Sequence, residues 1–212
     1  SMDSPLRALV SLIFLYCIAS ISWAQPIIPA APDLAAKSWI LIDANTGKIL
    51  TEHDSELQLP PASLTKLMTA YLAFEEIGSG RLGLQEEVLV SENAWIKGGT
   101  KSGGSTMFLP PNEPATVEDL LRGVIIQSGN DASIALAEHI AGSEEAFADL
   151  MTQNAQRMGL SGTNYWNATG LPADGHLTTA KDLASLAQAI IRDHPDHYSI
   201  YSEKEFEYNG IN

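Results

Sequence analysis

The spacing of apolar positions predicts strands near the start of the chain and helices along most of the rest. The stretch SWILIDANTGKILTEH, residues 38–53, carries two short apolar runs joined by Asn-Thr-Gly. Asn and Gly at such a junction are typical of a hairpin turn, so we expect an antiparallel hairpin here. A further strand is predicted at residues 88–90, within a Gly-, Ser- and Pro-rich region, residues 78–114, that otherwise predicts loops.

The chain after the double proline at residues 60–61 predicts a buried helix. In PPASLTKLMTAYLAF, residues 60–74, apolar side chains recur at helical spacing and continue up to Gly78. They cover much of the helix circumference, which is typical of a helix at the centre of a domain.

More helices are predicted towards the C-terminus from the same spacing. Thr116, Ser143 and Thr179 each stand directly before an apolar run and are expected to cap a helix through their hydroxyl groups. The predicted helices are VEDLLRGVIIQ, IALAEHIA, EEAFADLMTQNAQRM and AKDLASLAQAIIRD. The last residues, EKEFEYNGIN, predict a strand that enters an Asn-Gly turn.

Strands at both ends of the chain with helices between them predict a mixed α/β (α+β) domain, in which a helical cluster packs on an antiparallel sheet. We expect the sheet to be incomplete, because the last predicted strand lacks a partner strand. Unpaired strand edges favour aggregation. A chain extended beyond Asn212 is therefore expected to be more soluble and more stable than this one.

The composition is that of a globular protein. The chain has 212 residues, 45% of them hydrophobic, which is enough for one domain with a substantial core. Its formal net charge of −14 argues against a nucleic-acid partner, because no basic surface is available to neutralise phosphates.

Residues 1–24 have the pattern of a secretory signal peptide. An uncharged run at residues 8–22 leads into Ser22-Trp23-Ala24, which places small residues where a signal peptidase cleaves, after Ala24. The run is also close to the length of a membrane span, so an uncleaved anchor is an open alternative. Both interpretations predict export, and residues 25–36 form a proline-rich lead-in to the domain.

The single cysteine, Cys17, lies within the predicted signal peptide. The large side chain of Tyr16 before it argues against a lipoprotein signal. After cleavage no thiol remains, which excludes disulfides, thiol catalysis and cysteine metal ligands for the mature chain.

Ser63 and Lys66 form an S-x-x-K motif at the start of the predicted central helix. Two interpretations stand on the residues alone. Because serine is a common N-cap, the first is that Ser63 only begins the helix. The second is that Lys66, one turn away on the same face, is the base that activates Ser63 as a nucleophile. The second requires a buried lysine, since an exposed one stays protonated at neutral pH.

A second motif, Ser128-Gly129-Asn130, lies in a short polar turn between two predicted helices. Two interpretations of this motif also stand on the residues alone. Asn130 is an ordinary helix cap, or the turn is rigid and contributes polar groups to a functional site. The similar S-E-N at residues 91–93 follows a short strand, and we interpret it as a helix start.

In combination these motifs resemble the low-molecular-mass penicillin-binding proteins, and specifically the D-alanyl-D-alanine carboxypeptidases. The resemblance runs from about Trp39 to the last residue. It is carried by PPASLTKLMTAYLAFE, LLRGVIIQSGNDASIALAEHIAGSEEAFADLMTQNAQRMGL, TNYWNATGLPADGHLTTAKDLASLAQAII and YSIYSEKEFEYNGI. It implies a β-lactamase/transpeptidase-like fold, with residues 37–212 as the N-terminal portion of that domain.

The resemblance also implies roles for the motif residues. Ser63 would attack the bond between two D-alanines of a peptidoglycan stem peptide, with Lys66 as its base. Ser128 would relay a proton to the leaving amine, and Asn130 would bind the substrate amide. β-Lactam antibiotics would acylate Ser63 as substrate mimics. The resemblance implies no metal or other cofactor, and it places the full-length protein in the periplasm, at the inner membrane through a C-terminal helix.

One family motif is missing from the sequence. K-T-G, which supplies a cation for the substrate carboxylate, does not follow Ser128, and Lys101-Ser102-Gly103 precedes it in a loop that we expect to face solvent. We therefore expect this chain to be an N-terminal fragment, and a non-catalytic peptidoglycan-binding protein or an inactive fragment is the alternative. A serine β-lactamase is disfavoured, because S-G-N replaces S-D-N and no E-x-x-L-N string occurs.

The five histidines do not form a recognisable metal motif. His194 and His197 flank a helix-breaking proline and are expected to be solvated loop residues. Glu138-His139 lacks the second histidine of a zinc peptidase. His176 lies in the loop GLPADGHLTT, which the resemblance places near the rim of the active site.

Overall fold

The computed structural model of the chain describes residues 30–211. Short strands, α-helices and 3-10 turns alternate along these residues. The strands are β1 (Trp39–Ile42), β2 (Ile49–His53), β3 (Glu87–Leu89) and β4 (Pro114–Thr116). The α-helices are α1 (Lys66–Gly78), α2 (Glu92–Gly98), α3 (Val117–Ile125), α4 (Asn130–Ala141), α5 (Glu144–Arg157), α6 (Ala180–Asp193) and α7 (Pro195–Tyr198).

The mixed α/β (α+β) class predicted from the sequence is confirmed by this arrangement of helices and antiparallel strands. Among the described helices, none has the length and apolar character needed to cross a membrane. The predicted signal peptide, residues 1–24, lies outside the described residues.

The predicted hairpin is present. β1 and β2 pair antiparallel, with Trp39 opposite His53, and β1 packs against α6. The Asp43 carboxylate closes the turn by accepting hydrogen bonds from the backbone N–H groups of Asn45 (3.1 Å) and Thr46 (2.8 Å). An aspartate that satisfies its own turn in this way fixes the register of the two strands.

In the second sheet β3 pairs with β4, and the sequence predicts only the first of these two strands. The strand expected at residues 88–90 is β3, displaced by one residue. Its antiparallel partner β4 was missed because it is three residues long and begins with Pro114, which cannot donate a ladder hydrogen bond. The helix start expected at Ser91 is confirmed, since the Ser91 hydroxyl accepts the N–H of Ala94 at 2.9 Å.

α1 is the central helix of the domain, as its apolar circumference predicts. Met68, Ala70, Ala73 and Phe74 on this helix are fully buried, and α1 packs against α3, α4, α5 and α6. Burying a Met or Phe side chain contributes roughly 1.5–3 kcal/mol. Because Lys66 is the first residue of α1, its side chain projects from a rigid base.

The predicted N-caps of three helices are confirmed. The hydroxyl groups of Thr116, Ser143 and Thr179 each accept the backbone N–H three residues later, at 3.0–3.1 Å. A cap of this kind stabilises a helix by about 1 kcal/mol. These bonds fix where α3, α5 and α6 begin.

The strand predicted at the C-terminus does not form. Residues 203–207 have no strand partner within the described part of the chain. Strand formation needs a hydrogen-bonding neighbour. Here the contacts are instead a hydrogen bond from Gln127 Nε2 to the carbonyl oxygen of Phe206 at 2.9 Å and an ion pair between Arg122 and Glu203. The predicted Asn-Gly turn is present, with Asn209 at φ +50 and Gly210 at φ +76.

The segment between α5 and α6, residues 161–179, lies against the turn that precedes α1. A backbone bridge joins Leu59 to Thr178 at the end of this segment. Gly170, at φ +88, approaches so closely that a Cβ on it would lie 1.8 Å from the carbonyl oxygen of Ala62. Only glycine therefore fits at this crossing.

Gly170→Ala is expected to destabilise the full-length protein strongly, because the added methyl would overlap a backbone oxygen. The matched control is Gly159→Ala, which also has a positive φ (+77) but has open space around its Cβ. We expect the control to lose about 1 kcal/mol and Gly170→Ala to lose at least about 2 kcal/mol more. Urea unfolding measures both losses, and equal losses would contradict the close approach.

Candidate active site

Ser63 is exposed and lies in a 3-10 turn, Ala62–Thr65, directly before α1. Neither this turn nor α1 begins with a side-chain cap bond, so the interpretation of Ser63 as a helix cap is wrong. Ala62 has φ +49, a left-handed conformation that costs a non-glycine residue roughly 1–2 kcal/mol. Strain of this kind clusters at functional sites.

The amine of Lys66 lies next to Ser63 and joins the two sequence motifs. Its Nζ is 3.4 Å from Ser63 Oγ, 2.8 Å from Asn130 Oδ1 and 2.7 Å from the carbonyl oxygen of Thr169. Lys66 and Asn130 are 64 residues apart in the chain. The S-x-x-K and S-G-N motifs therefore meet at one nitrogen atom.

The burial required of Lys66 is present, since the residue is only 5% exposed. Burial lowers the pKa of Lys66 from 10.5 to about 8, and the negative charge of Asp131 opposes part of that shift. About a tenth of the amine is then neutral at neutral pH, far more than for an exposed lysine. A neutral amine is the form that a general base needs.

The S-G-N turn connects α3 to α4 and is fixed by main-chain contacts. The N–H of Asn130 donates to the carbonyl oxygen of Ser105, and the N–H of Gly129 donates to that of Gly123, both at 2.9 Å. Ser128 has φ +56, a second left-handed residue beside the site. The N-cap of α4 is Gly129 and no side chain caps the helix, so the interpretation of Asn130 as a cap is wrong.

Three of the four predicted site residues form one hydrogen-bonded group. They are Ser63, Lys66 and Asn130. Ser128 is half-buried, two residues before Asn130. Within residues 30–211 its hydroxyl makes no hydrogen bond to this group.

Asp131, which the sequence analysis did not single out, anchors the loop beside the S-G-N turn. Its carboxylate is fully buried and accepts hydrogen bonds from the N–H groups of Met107 (2.8 Å) and Leu109 (2.9 Å) and from the hydroxyl of Thr106 (2.8 Å). Asp131 therefore holds this loop against Asn130 and places a negative charge near Lys66.

The third partner of Lys66 is a main-chain carbonyl group. The residue before it, Ala168, is held from two sides: Thr69 Oγ1 donates to its carbonyl oxygen at 2.8 Å, and its N–H donates to the Glu144 carboxylate at 3.2 Å. Burial raises the pKa of Glu144. These contacts orient the following carbonyl, that of Thr169, towards Lys66. A main-chain acceptor has no signature in the sequence.

His176 is buried beside the Ser63 turn, and it belongs to the loop that the resemblance places near the rim of the active site. The residue is 3% exposed, and its Nε2 lies 2.7 Å from Thr65 Oγ1. It also lines one end of an open cavity of about 560 Å³ beside the turn. Pro60, Ala62 and Gly170 line the same cavity, which places space for part of a ligand next to Ser63.

The expectation that His194 and His197 are solvated loop residues is wrong. His194 Nε2 lies 2.6 Å from Glu75 Oε1, and the His197 ring stacks on Phe74 with 4.8 Å between ring centroids. Pro195 begins the short helix α7, because proline is tolerated at the first helical position. Both histidines therefore stabilise the packing of the chain on α1.

The remaining polar candidates have structural contacts. Lys101 is exposed as expected, with its Nζ 6.0 Å from the ring centroid of Trp95. The Glu138 carboxylate accepts hydrogen bonds from the Ser91 hydroxyl and the Asn93 amide, each at 2.6 Å. In the part of the chain that the structure describes, no three His, Cys, Asp or Glu side chains are grouped so that they could hold a metal ion.

The chain is similar to known proteins along most of its length. Residues 25–212 match the profile of the D-alanyl-D-alanine carboxypeptidase family, peptidase S11. The D-alanyl-D-alanine carboxypeptidase DacC of Escherichia coli is 43% identical over 199 residues, which are 93% of this chain and 50% of DacC. The chain thus spans about half the length of this curated relative.

Solved structures have the same fold. Penicillin-binding protein 6B from Escherichia coli superposes with a TM-score of 0.82 at 43% identity, over 88% of this chain and 59% of that chain. Penicillin-binding protein D2 from Listeria monocytogenes, in its ampicillin-bound form, superposes with a TM-score of 0.70 at 26% identity, over 87% and 72% of the two chains. The predicted resemblance and the predicted fold are confirmed, and the chain belongs to the D-alanyl-D-alanine carboxypeptidase family, peptidase S11.

Proposed function

We propose that the full-length protein is a serine D-alanyl-D-alanine carboxypeptidase. It removes the terminal D-alanine from peptidoglycan stem peptides through an acyl-enzyme on Ser63, with Lys66 as the base. Membership of the family supports the reaction class. The contacts of Lys66 support the assignment of the nucleophile and the base.

The hydrogen bonds of Lys66 are the observation that carries this proposal. The amide oxygen of Asn130 and the carbonyl oxygen of Thr169 can only accept hydrogen bonds. A neutral amine therefore uses both of its N–H groups on these two oxygens. Its lone pair is left towards Ser63 Oγ, 3.4 Å away, in position to take the hydroxyl proton. This separation is long for a hydrogen bond, as is common before substrate binds.

The reaction then follows from these positions. Ser63 Oγ bonds to the carbonyl carbon of the penultimate D-alanine while its proton passes to Lys66 Nζ. The C–N bond to the terminal D-alanine breaks, and the leaving amine gains the proton. We assign the relay of this proton to Ser128, which stands in the same turn as Asn130. Water hydrolyses the resulting ester and regenerates Ser63.

Within residues 30–211 the NH₂ group of Asn130 donates no hydrogen bond, so we propose it as a donor to the substrate. With its oxygen bonded to Lys66, its NH₂ group is directed elsewhere, and a Cβ on Gly104 would lie 2.5 Å from Asn130 Nδ2. The glycine therefore leaves this group accessible where a larger residue would cover it. We assign Asn130 Nδ2 as the donor to an amide carbonyl of the stem peptide.

β-Lactam antibiotics are the second ligand class in this proposal. A β-lactam presents a reactive amide in place of the bond between two D-alanines, so the same attack by Ser63 gives a stable ester. The similar Listeria monocytogenes protein is described in ampicillin-bound and cefotaxime-bound forms. That similarity supports the proposal for this chain.

The location of the protein is also a proposal: export to the periplasm, with the full-length form at the inner membrane. The signal-peptide pattern of residues 1–24 supports export, and the family resemblance supports the membrane contact. Fusing residues 1–24 to alkaline phosphatase, which needs an oxidising compartment to fold, is expected to give active enzyme outside the cytoplasm. A fusion that stays inactive in the cytoplasm would contradict export.

Penicillin treatment of the full-length protein is expected to give one covalent adduct, placed on Ser63 by peptide mass spectrometry. Ser63→Ala should abolish the adduct, and Lys66→Ala should slow its formation by about 10²–10⁴-fold, the usual contribution of a positioned base. Ser91→Ala is the matched control, because Ser91 begins a similar S-x-N pattern but caps α2. It should acylate at the unmodified rate.

Two results would contradict the proposed activity. A folded full-length protein without any adduct would favour the non-catalytic peptidoglycan-binding alternative. Many penicillin turnovers for each protein molecule would indicate a β-lactamase.

Acylation is expected to accelerate as the pH rises. The pKa of Lys66 is about 8, so the neutral fraction grows about tenfold per pH unit below that value and levels off above it. Stopped-flow labelling from about pH 6 to about pH 9.5 measures this dependence. A rate that stays constant across the range would argue against Lys66 as the base.

A further inference from the structure

Two hydrogen bonds of His176 determine which of its ring nitrogens carries the proton. The backbone N–H of Trp166 donates to His176 Nδ1 at 2.9 Å, so Nδ1 is the unprotonated acceptor. Nε2 therefore carries the hydrogen and donates it to Thr65 Oγ1 at 2.7 Å. Because each ring nitrogen has its own hydrogen-bond partner, the tautomer and the orientation of the imidazole ring are fixed.

Thr65 connects this histidine to the proposed active site. It is fully buried and stands between Ser63 and Lys66 in the chain. The segment of residues 161–179 contains His176 and also supplies the Thr169 carbonyl oxygen that binds Lys66. The bond from His176 to Thr65 therefore joins the turn that carries the nucleophile to the segment that orients the base.

We infer that His176 is a positioning residue for acylation: through Thr65 it holds the Ser63 turn where the amine of Lys66 can take the hydroxyl proton. The inference rests on the proposed function, and it adds a residue to which that function gives no role. His176 acts through Thr65 and takes no proton from the substrate or from Ser63.

A charged imidazole would break this arrangement. The second proton would be on Nδ1, which would then face the N–H of Trp166, so that two donors would meet and the bond would be lost. The segment of residues 161–179 would then lose one of the hydrogen bonds that hold its conformation. Acylation is therefore expected to need the neutral form of His176.

The surroundings of His176 favour its neutral form. The titratable side chains on the neighbouring elements are Lys66, Tyr165, Asp174 and Asp182. The Tyr165 ring lies edge-on at 5.7 Å, and within residues 30–211 neither carboxylate forms an ion pair with His176. Burial lowers the pKa of His176 below its usual value. The ring is therefore neutral at neutral pH and gains its charge only in acid.

The first test compares Thr65→Val with Thr65→Ser in the full-length protein. Valine keeps the shape of threonine but removes the hydroxyl, and serine keeps the hydroxyl. We expect Thr65→Val to slow acylation by a fluorescent penicillin by about 10–100-fold, the scale of a small misplacement of reacting groups. Thr65→Ser should stay within about threefold of the unmodified protein.

The second test replaces the histidine. His176→Ala is expected to slow acylation as much as Thr65→Val, and His176→Gln, whose amide N–H can replace the ring donor, to recover most of the rate. Combining Thr65→Val with His176→Ala should cost little more than either change alone, because both remove the same bond.

The pH dependence of the acylation rate shows whether His176 positions the Ser63 turn through its hydrogen bonds or only fills space. Below the pKa of Lys66 the acylation rate should fall about tenfold per pH unit, and about a hundredfold per unit once His176 also gains a proton. In His176→Gln the steeper acid limb should disappear. Two-bond ¹H–¹⁵N spectra of the unmodified protein should show His176 with its hydrogen on Nε2.

Several results would overturn the inference. It fails if both Thr65→Val and His176→Ala acylate at the unmodified rate, if His176→Gln keeps the steeper acid limb, or if the hydrogen of His176 is on Nδ1. In all three cases Ser63 is still labelled and the proposed function stands. A full-length unmodified protein without a Ser63 adduct would overturn the proposed function together with this role.

Discussion

The buried amine of Lys66 needs hydrogen-bond partners, and this need determines how the rest of the site is arranged. Removing Lys66 from water costs hydration free energy, and oxygens from three separate parts of the chain replace the lost water contacts. Because all three oxygens must reach one nitrogen together, the turn before α1, the turn before α4 and the segment of residues 161–179 are coupled in position. The lowered pKa of Lys66 is the chemical result of this burial.

The supports around this amine are mostly contacts between a buried polar side chain and the main chain. Asp131 holds the loop of residues 105–109, and Glu144 with Thr69 holds Ala168. Such contacts fix backbone positions that apolar packing alone leaves free to slide. The left-handed residues beside the site each cost roughly 1–2 kcal/mol, and the buried helices α1 and α4 that follow them keep that conformation in place.

The sequence predicts those parts of the structure that depend on neighbouring residues. The hairpin, the central helix and three helix caps follow from turn residues, apolar spacing and hydroxyl groups within a few positions of each other. Ser63, Lys66 and Asn130 could be identified because they stand in recognisable motifs.

Other features depend on partners that are distant in the chain. They are β4, the unpaired C-terminal residues and the packing of His194 and His197. The donors to Asp131 from the loop of residues 105–109 are likewise 22–25 residues away, and no local pattern reveals them.

The Thr169 carbonyl has a consequence for how this site can evolve. Its oxygen belongs to the main chain, so substitutions at position 169 change the side chain and leave the acceptor of Lys66 in place. A point substitution therefore cannot remove this acceptor. An insertion or deletion that reroutes the backbone beside Ala168 is what would remove the contact, because it would move this carbonyl oxygen away from Lys66.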